Sequence, residues 1–318
     1  MLDAVAIRNH DHLIKLLATY QLGERCHFLF PFADANLRDF WKSIGKPYWN
    51  RETYVWALRQ MNGLASGLNA IHNYETTEAQ ERVEADPKFA RGLTGGHFTV
   101  QKGEAKFGRH GDLKPENILW FNGFRNGDTG GILQITDLGL GRFHGLESRS
   151  KVNPKSINGS PTYTPPEIML NENVSRAYDI WSLGCVYLEF VTWLVEGDKG
   201  IHDFAAERDR KADDGIYDDM FFTLIENGYG GAELRQGVKS WCSRLQQKTR
   251  CSPMLVEILK LIQNEMLVID SKERIRSERL CAELERIMRR AESDTKYLLG
   301  EAPNRDRGMG IKMPPNNG

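Results

Sequence analysis

The sequence is poor in the features that mark a secreted, metal-clipped or membrane-spanning protein. Its five cysteines, Cys26, Cys185, Cys242, Cys251 and Cys281, are odd in number and contain no CxxC pair. That argues against a disulfide framework or a zinc site and suits a reducing compartment. The opening MLDAVAIRNHDH lacks both the basic start and the apolar core of a signal peptide. The longest apolar stretch, residues 180–195, is interrupted by Glu189. It falls short of the ~20 residues a bilayer demands and reads as a buried helix. A dominant charge is missing too: 42 basic and 43 acidic side chains leave a formal charge of −1. Nothing in that balance favours a nucleic-acid or membrane-surface partner. The expectation is a soluble intracellular protein, cytoplasmic or nuclear.

What is present suits a packed globular chain. Apolar residues make up 40% and charged residues 27% of 318 positions, enough for one large domain or two small ones. No repeat period is visible. Residues 13–20 and 26–32 are apolar runs joined by a turn-like 21–25, which predicts a strand pair. Residues 34–41 read as a helix start that Asp34 or Asn36 caps. Apolar residues at 55, 58, 61, 64, 65, 68 and 71 put one face on a helix over 52–74. Residues 75–108 are polar and aperiodic and read as an inserted loop.

Further on, the runs 117–121 and 132–135 flank a connector with Asn-Gly and Asp-Thr-Gly-Gly, which reads as a long hairpin turn. Residues 142–166 read as loop, 179–194 as an apolar helix, and 196–250 as charge mixed with isolated apolar positions. Residues 253–268 and 277–291 read as amphipathic helices. The composition from Asp294 onward is that of a frayed terminus.

The segment that carries chemistry is His110-Gly-Asp-Leu-Lys-Pro-Glu-Asn117. Phosphoryl transfer needs few groups, and they are here. Asp112 can orient or accept the proton of an attacking hydroxyl. Lys114 can offset charge on the transferred phosphoryl, and the Asn117 amide oxygen can hold Mg²⁺. In Ile135-Thr-Asp137-Leu-Gly139 a carboxylate beside a glycine, at the end of an apolar run, can approach the same metal. Asn117 and Asp137 together make a hard-oxygen pair.

In this order the segments resemble the protein kinase family, Ser/Thr class. His110–Asn117 matches its catalytic loop and Asp137-Leu-Gly139 its metal-binding triplet, with leucine for phenylalanine. Residues 159–167 (GSPTYTPPE) resemble the substrate-docking segment that ends in APE, with Pro165 for alanine. Asp179–Gly184 resembles the start of the buried helix that anchors the catalytic loop. Asp270–Arg274 resembles the late motif whose arginine pairs with the glutamate at Glu167. Gly111 stands where most members carry an arginine that receives an activation-loop phosphate. The resemblance therefore implies no dependence on such a phosphate, although Ser148, Ser150 and Ser156 lie in that loop.

The resemblance implies an α+β, protein kinase-like two-lobe fold with a largely helical C-lobe and a truncated β-rich N-lobe. Residues 1–32 would be N-lobe remnant and hinge, 33–293 the C-lobe with a 75–108 insertion, and 294–318 a flexible tail. Asn9–Ile14 resembles the turn after the regulatory helix, and counting back puts Met1 near that helix's glutamate. No GxGxxG and no VAIK-like segment occurs in the sequence. The expected contiguous loss of the phosphate-covering strands contrasts with an intact Asp112, Lys114, Asn117 and Asp137. By counting, Leu29 falls near the gatekeeper, with the backbone of Phe30 and Phe32 near the hinge that meets adenine.

ATP and Mg²⁺ are the implied cofactors. A protein substrate bearing Ser or Thr is the implied partner, together with a partner that completes the N-lobe. Two other readings stand beside this one. A non-catalytic scaffold needs no response to MgATP. A small-molecule phosphotransferase of the aminoglycoside or choline kinase type shares His-Gly-Asp but not the 159–167 segment. His110 and His72 read as structural and Trp181 as core. The run 207–211 reads as a solvated face, and Asp213, Asp214, Asp218 and Asp219 as solvated acids.

Overall fold

The computed structural model describes residues 10–73, 107–123, 130–137, 142–144, 161–211, 217–225, 231–301 and 310–314. At its centre runs the helix Ala177–Glu196, buried from Tyr178 to Val195. Its mostly apolar composition forbids a solvated face, so other elements pack on all sides. Trp41 and Trp193 meet Phe190 with ring centroids 5.6 and 5.8 Å apart. At Gly184 an added Cβ would lie 3.0 Å from both Leu267 and Met266. The absence of a side chain there lets the helical turn Ile262–Met266 press against the central helix.

The long helix Arg51–His72 begins where the Asn50 side chain accepts from Thr53 N and runs two residues short of the expected end. It packs chiefly on the helix Ser277–Ser293. Its Gly63 admits the His12 ring, which an added Cβ would meet at 2.0 Å. His12 Nδ1 bonds the Leu133 carbonyl at 2.8 Å. Residues 12–14 are thereby clamped beside Ile135, with Ile14 N on Ile135 O and Ile135 N on His12 O, each 2.9 Å. The expected strand over 13–20 accordingly starts later. Its first residues are core, and the hairpin comprises Ala18–Leu22 and Arg25–Leu29, turning at Gly23 with φ +61°.

The helix Leu37–Ile44 is capped by Asn36, whose side chain accepts from Asp39 N at 2.9 Å. Asp34 instead accepts from Asn122 N. Ala35–Asn36, Ile118–Phe121 and Ile132–Ile135 form a three-stranded antiparallel sheet. The strand Ile118–Phe121 of this sheet follows directly on the turn Pro115–Asn117.

Several regions differ from expectation. Residues 142–144, expected as loop, pair as a strand with Phe107–Arg109, and Pro166–Met169 form a helical turn. The stretch 196–250 holds the helices Asp198–Arg208 and Gln236–Gln246 and the hairpin Phe222–Leu224 with Ala232–Leu234. Its apolar residues looked isolated because each helix buries only one narrow stripe. Arg208, expected in a solvated run, is 1% exposed. Its guanidinium lies 3.9 Å from the Phe204 ring centroid and 4.3 Å from that of Phe221. Glu189, 3.5 Å away, balances its charge, so a buried cation is tolerated.

The terminus is not simply frayed. Asp294 caps the helix Thr295–Leu299, whose Tyr297, Leu298 and Leu299 are buried. Trp49 Nε1 donates to Leu299 O at 3.1 Å, and Ile311 and Met313 pack on the core. A polar composition hid three consecutive apolar residues that fill a gap. Most of the 75–108 insertion, the serines at 148, 150 and 156, and Asp213 and Asp214 lie outside the described residues. No described helix is long and apolar enough to cross a membrane.

Candidate active site

The turn before the strand Ile118–Phe121 gathers the sequence-predicted groups. Pro115–Asn117 forms a single 3₁₀ turn, with Asn117 N on Lys114 O at 2.9 Å. It folds Lys114 and Asn117 back onto Asp112. Lys114 Nζ is 2.7 Å and Asn117 Nδ2 3.0 Å from Asp112 Oδ2. Asn117 Nδ2 also donates to the Asp112 carbonyl at 2.9 Å. Asp112 is 8% exposed and Lys114 23% exposed at its side chain, so solvent reaches the pair through Lys114.

The backbone under Asp112 is held from behind. Asp179, fully buried on the central helix, accepts from His110 N and Gly111 N at 2.8 Å each. Gly111 has φ +83°, a conformation only glycine adopts without cost, and this aims its N–H at Asp179. His110 Nδ1 accepts from Asp112 N at 3.2 Å, and its Nε2 donates to the Thr136 carbonyl at 2.7 Å. His110 thus ties the catalytic turn to the segment that bears Asp137.

Asp179 is itself pinned by His72 Nε2 at 2.9 Å. The other His72 nitrogen meets Ser277 Oγ at 3.2 Å, and that hydroxyl donates to Asn69 Oδ1 at 2.9 Å. Burial alone would push the Asp179 carboxyl up. The His72 bond, the nearby imidazoles and the Gly111 N–H outweigh it and hold the carboxyl below its usual range.

Asp137 lies one residue beyond Thr136, whose N donates to Asn117 O at 3.0 Å. It is one of only two non-glycine residues with positive φ among the described residues, at +57°. Such a backbone costs of order 1–3 kcal/mol and persists where the surroundings over-determine it. Both Asn117 side-chain bonds go through Nδ2, which leaves Oδ1 as an oxygen donor. An amide oxygen and a carboxylate at neighbouring backbone positions suit Mg²⁺, which commonly takes one or two carboxylates plus phosphate oxygens and water. No cluster of three or more His, Cys, Asp or Glu fit for a metal occurs among the described residues. Leu138 and Gly139 lie outside them.

The structure does not bring the adenine-floor residues into an enclosed place. Leu29, Phe30 and Phe32 are 51%, 38% and 99% exposed. The hairpin that ends in Leu29 is a lone antiparallel pair with no buried residue.

Glu116, on the same turn, belongs to a cluster that sequence reasoning did not assemble. Arg38 Nε bonds Glu116 Oε1 at 3.2 Å, and Arg38 Nη2 bonds Glu189 Oε2 at 3.1 Å and the Tyr163 hydroxyl. The only hint in the sequence was the charged Glu189 inside an apolar run.

Glu167 and Arg274 pair as the late motif implied, through two 2.7 Å bonds between fully buried side chains. Trp181 is core, and Arg274 lies 5.0 Å from its ring centroid. Asp218 pairs with Arg235, and Asp219 accepts from Thr162, so neither is a free surface acid.

Comparison with known proteins agrees with this site. The family model described as "Protein kinase domain" matches residues 106–283. A mitogen-activated protein kinase kinase kinase A of Dictyostelium discoideum is 38% identical over 84 residues, 26% of this chain and 8% of that protein. The MAP kinase kinase kinase win1 of Schizosaccharomyces pombe is 33% identical over 109 residues, 26% of this chain and 7% of that protein. Myosin light chain kinase 2 of Rattus norvegicus is 33% identical over 114 residues, 36% of this chain and 16% of that protein. The matches thus span less than a fifth of these relatives. With a family model covering more than half the residues and a helical lobe that converges Asp112, Lys114 and Asn117, the chain belongs to the protein kinase domain family.

Proposed function

We propose that the chain transfers the γ-phosphoryl group of MgATP to serine or threonine hydroxyls of protein substrates. The observation that carries this reading is the meeting of Lys114 Nζ and Asn117 Nδ2 on one oxygen of Asp112. Asn117 and Asp137 would hold Mg²⁺, which would supply charge neutralisation at the phosphates. Asp112, oriented by Asn117, takes or aligns the hydroxyl proton. Lys114, which here pairs with Asp112, turns its charge toward the transferred phosphoryl.

The groups that cover the ATP phosphates elsewhere in the family are not among these 318 residues. On this reading they come from outside them, as a joined segment or a second protein. The hairpin 18–29 supports this: Tyr20, Leu22, Phe28 and Leu29 are each more than half exposed, and a lone hairpin is marginal in water. The 318 residues alone therefore transfer slowly.

The test is a melting curve with and without MgATP, followed by transfer to serine, threonine and tyrosine peptides. Stabilisation by MgATP that Asn117→Ala and Asp137→Ala remove, with label on serine or threonine, supports the reading. A fold indifferent to MgATP would instead favour a scaffold.

A further inference from the structure

Three stretches far apart in sequence bring basic side chains to one surface loop, residues 45–50. The loop sits on the end of the central helix. Asp198 N donates to Gly45 O at 2.9 Å, and at Gly197, with φ +80°, an added Cβ would lie 3.0 Å from Lys46 Cβ. From the chain just beyond the helix Gln236–Gln246, Arg250 Nη2 donates to Pro47 O at 2.8 Å, while the Tyr54 hydroxyl donates to the Arg250 carbonyl at 3.0 Å. From the C-terminal stretch, Lys312 Nζ donates to Lys46 O at 3.4 Å. Lys312 is held there because Ile311 and Met313 pack on the core and Asn50 Nδ2 donates to Gly310 O.

The charges gathered this way are not balanced. Lys248 meets Glu196 at 2.8 Å, and those two cancel. Lys46, Arg250 and Lys312 make no ion pair among the described residues. Burial and the nearby Arg250 guanidinium lower the affinity of the Lys46 ammonium for its proton, which Glu196 opposes and Lys248 reinforces. Like charges are thus held together with their repulsion unrelieved. Arg250 Nε is buried with no acceptor, and a buried donor left unpaired is costly.

We propose that Lys46, Arg250 and Lys312 form a receptor for a single phosphate monoester group. Such a dianion offers several acceptor oxygens to donors that converge from different segments, and its charge removes their repulsion. Lys46 is exposed and Lys312 half-buried, so the group enters from solvent. The flanking surface limits the size of the ligand. There Glu196, Asp203 and Glu207 face only Arg244 and Lys248 around a cavity of about 340 Å³. An extended polyanion, such as a nucleic acid or an anionic lipid surface, meets repulsion on that flank where a compact dianion does not. A phosphorylated side chain and a small phosphate ester share this chemistry.

The test titrates inorganic phosphate, then a phosphoserine peptide and its unphosphorylated form, into the full 318-residue chain by calorimetry, with ionic strength held constant by chloride. Wild type is expected to be half-saturated by phosphate at about 1 mM or below. Lys46→Gln combined with Lys312→Gln is expected to weaken binding at least tenfold, and Lys239→Gln, on the helix Gln236–Gln246, to change it by less than about twofold. Phosphate is also expected to protect Lys46 of the wild type from acylation, read by peptide mass mapping; this decides the matter where the double variant does not fold. A peptide that binds more tightly than phosphate, and only when phosphorylated, supports the site with a protein source. Equal binding of phosphopeptide and phosphate supports it with a small ester as the source. No saturation below about 10 mM, equal phosphate binding by wild type and the folded double variant, or an unprotected Lys46 each overturns the proposal.

Discussion

Arg274 and Glu167, 107 residues apart in sequence, meet through two parallel 2.7 Å bonds with neither side chain exposed to solvent. Arg274 also donates to the carbonyls of Val268, Ile269 and Ala177. One guanidinium therefore ties the helical turn after the docking segment to the start of the central helix and to the loop after Met266. Removing either partner leaves a buried charge unpaired. Arg274→Ala is expected to cost about 3–5 kcal/mol in urea unfolding. Arg274→Lys recovers little, because an ammonium cannot match the planar fork. A loss below ~1 kcal/mol would show the pair to be incidental.

Asp179 gives a pH signature. Its carboxyl is held below the usual range in the folded chain, so folded protein binds fewer protons there than unfolded protein. The stabilisation is complete above the unfolded value, near pH ~3.9. It is lost as pH falls through the lower folded value. In melts from pH 5 to 2, the gap between wild type and Asp179→Asn is expected to close toward the acid end. A constant gap would mean that the carboxylate's charge contributes nothing.

How much of this could be read from one sequence depends on what each signal is. The turn His110–Asn117 stood out because the proposed chemistry needs fixed residue types at fixed local spacing, and the structure places Lys114 and Asn117 on Asp112. The two long helices were legible from the 3.6-residue period of one and the predominant apolarity of the other. His72 was not: its role depends on meeting Asp179 and Ser277, over a hundred and two hundred residues away. Arg38 failed for the same reason. Arg208 misled because a cation caged by two phenylalanines looks, in sequence, like any charge in a charged run. The terminal helix was missed because burial of Leu298 depends on a gap that only the assembled core defines.

That helix makes the third prediction. Leu298 is fully buried, and Leu298→Ala is expected to cost about 2–5 kcal/mol in urea unfolding. A cost under ~0.5 kcal/mol would return the segment to the status of a loose tail.

Thiol labelling checks the core independently. Cys26 is the one exposed cysteine of five. Burial pushes Cys242 and Cys251 up to about 12, Cys281 up to about 11, and Cys185 well above the usual thiol range. Native protein at pH 8 is expected to react quickly at one thiol, lost in Cys26→Ser, and to release the other four on unfolding. Two or more fast native thiols would contradict the packing described.

The central claim is that Asp112, braced by Lys114 and Asn117, serves phosphoryl transfer. It is tested most directly by comparing Mg²⁺-dependent transfer of labelled γ-phosphate to a mixed serine and threonine peptide pool by wild type and by Asp112→Ala, at matched folded fraction. The account predicts slow but measurable transfer by wild type, lower by about 10²–10⁴-fold in the variant at unchanged melting behaviour. Equal transfer by the two proteins would contradict it.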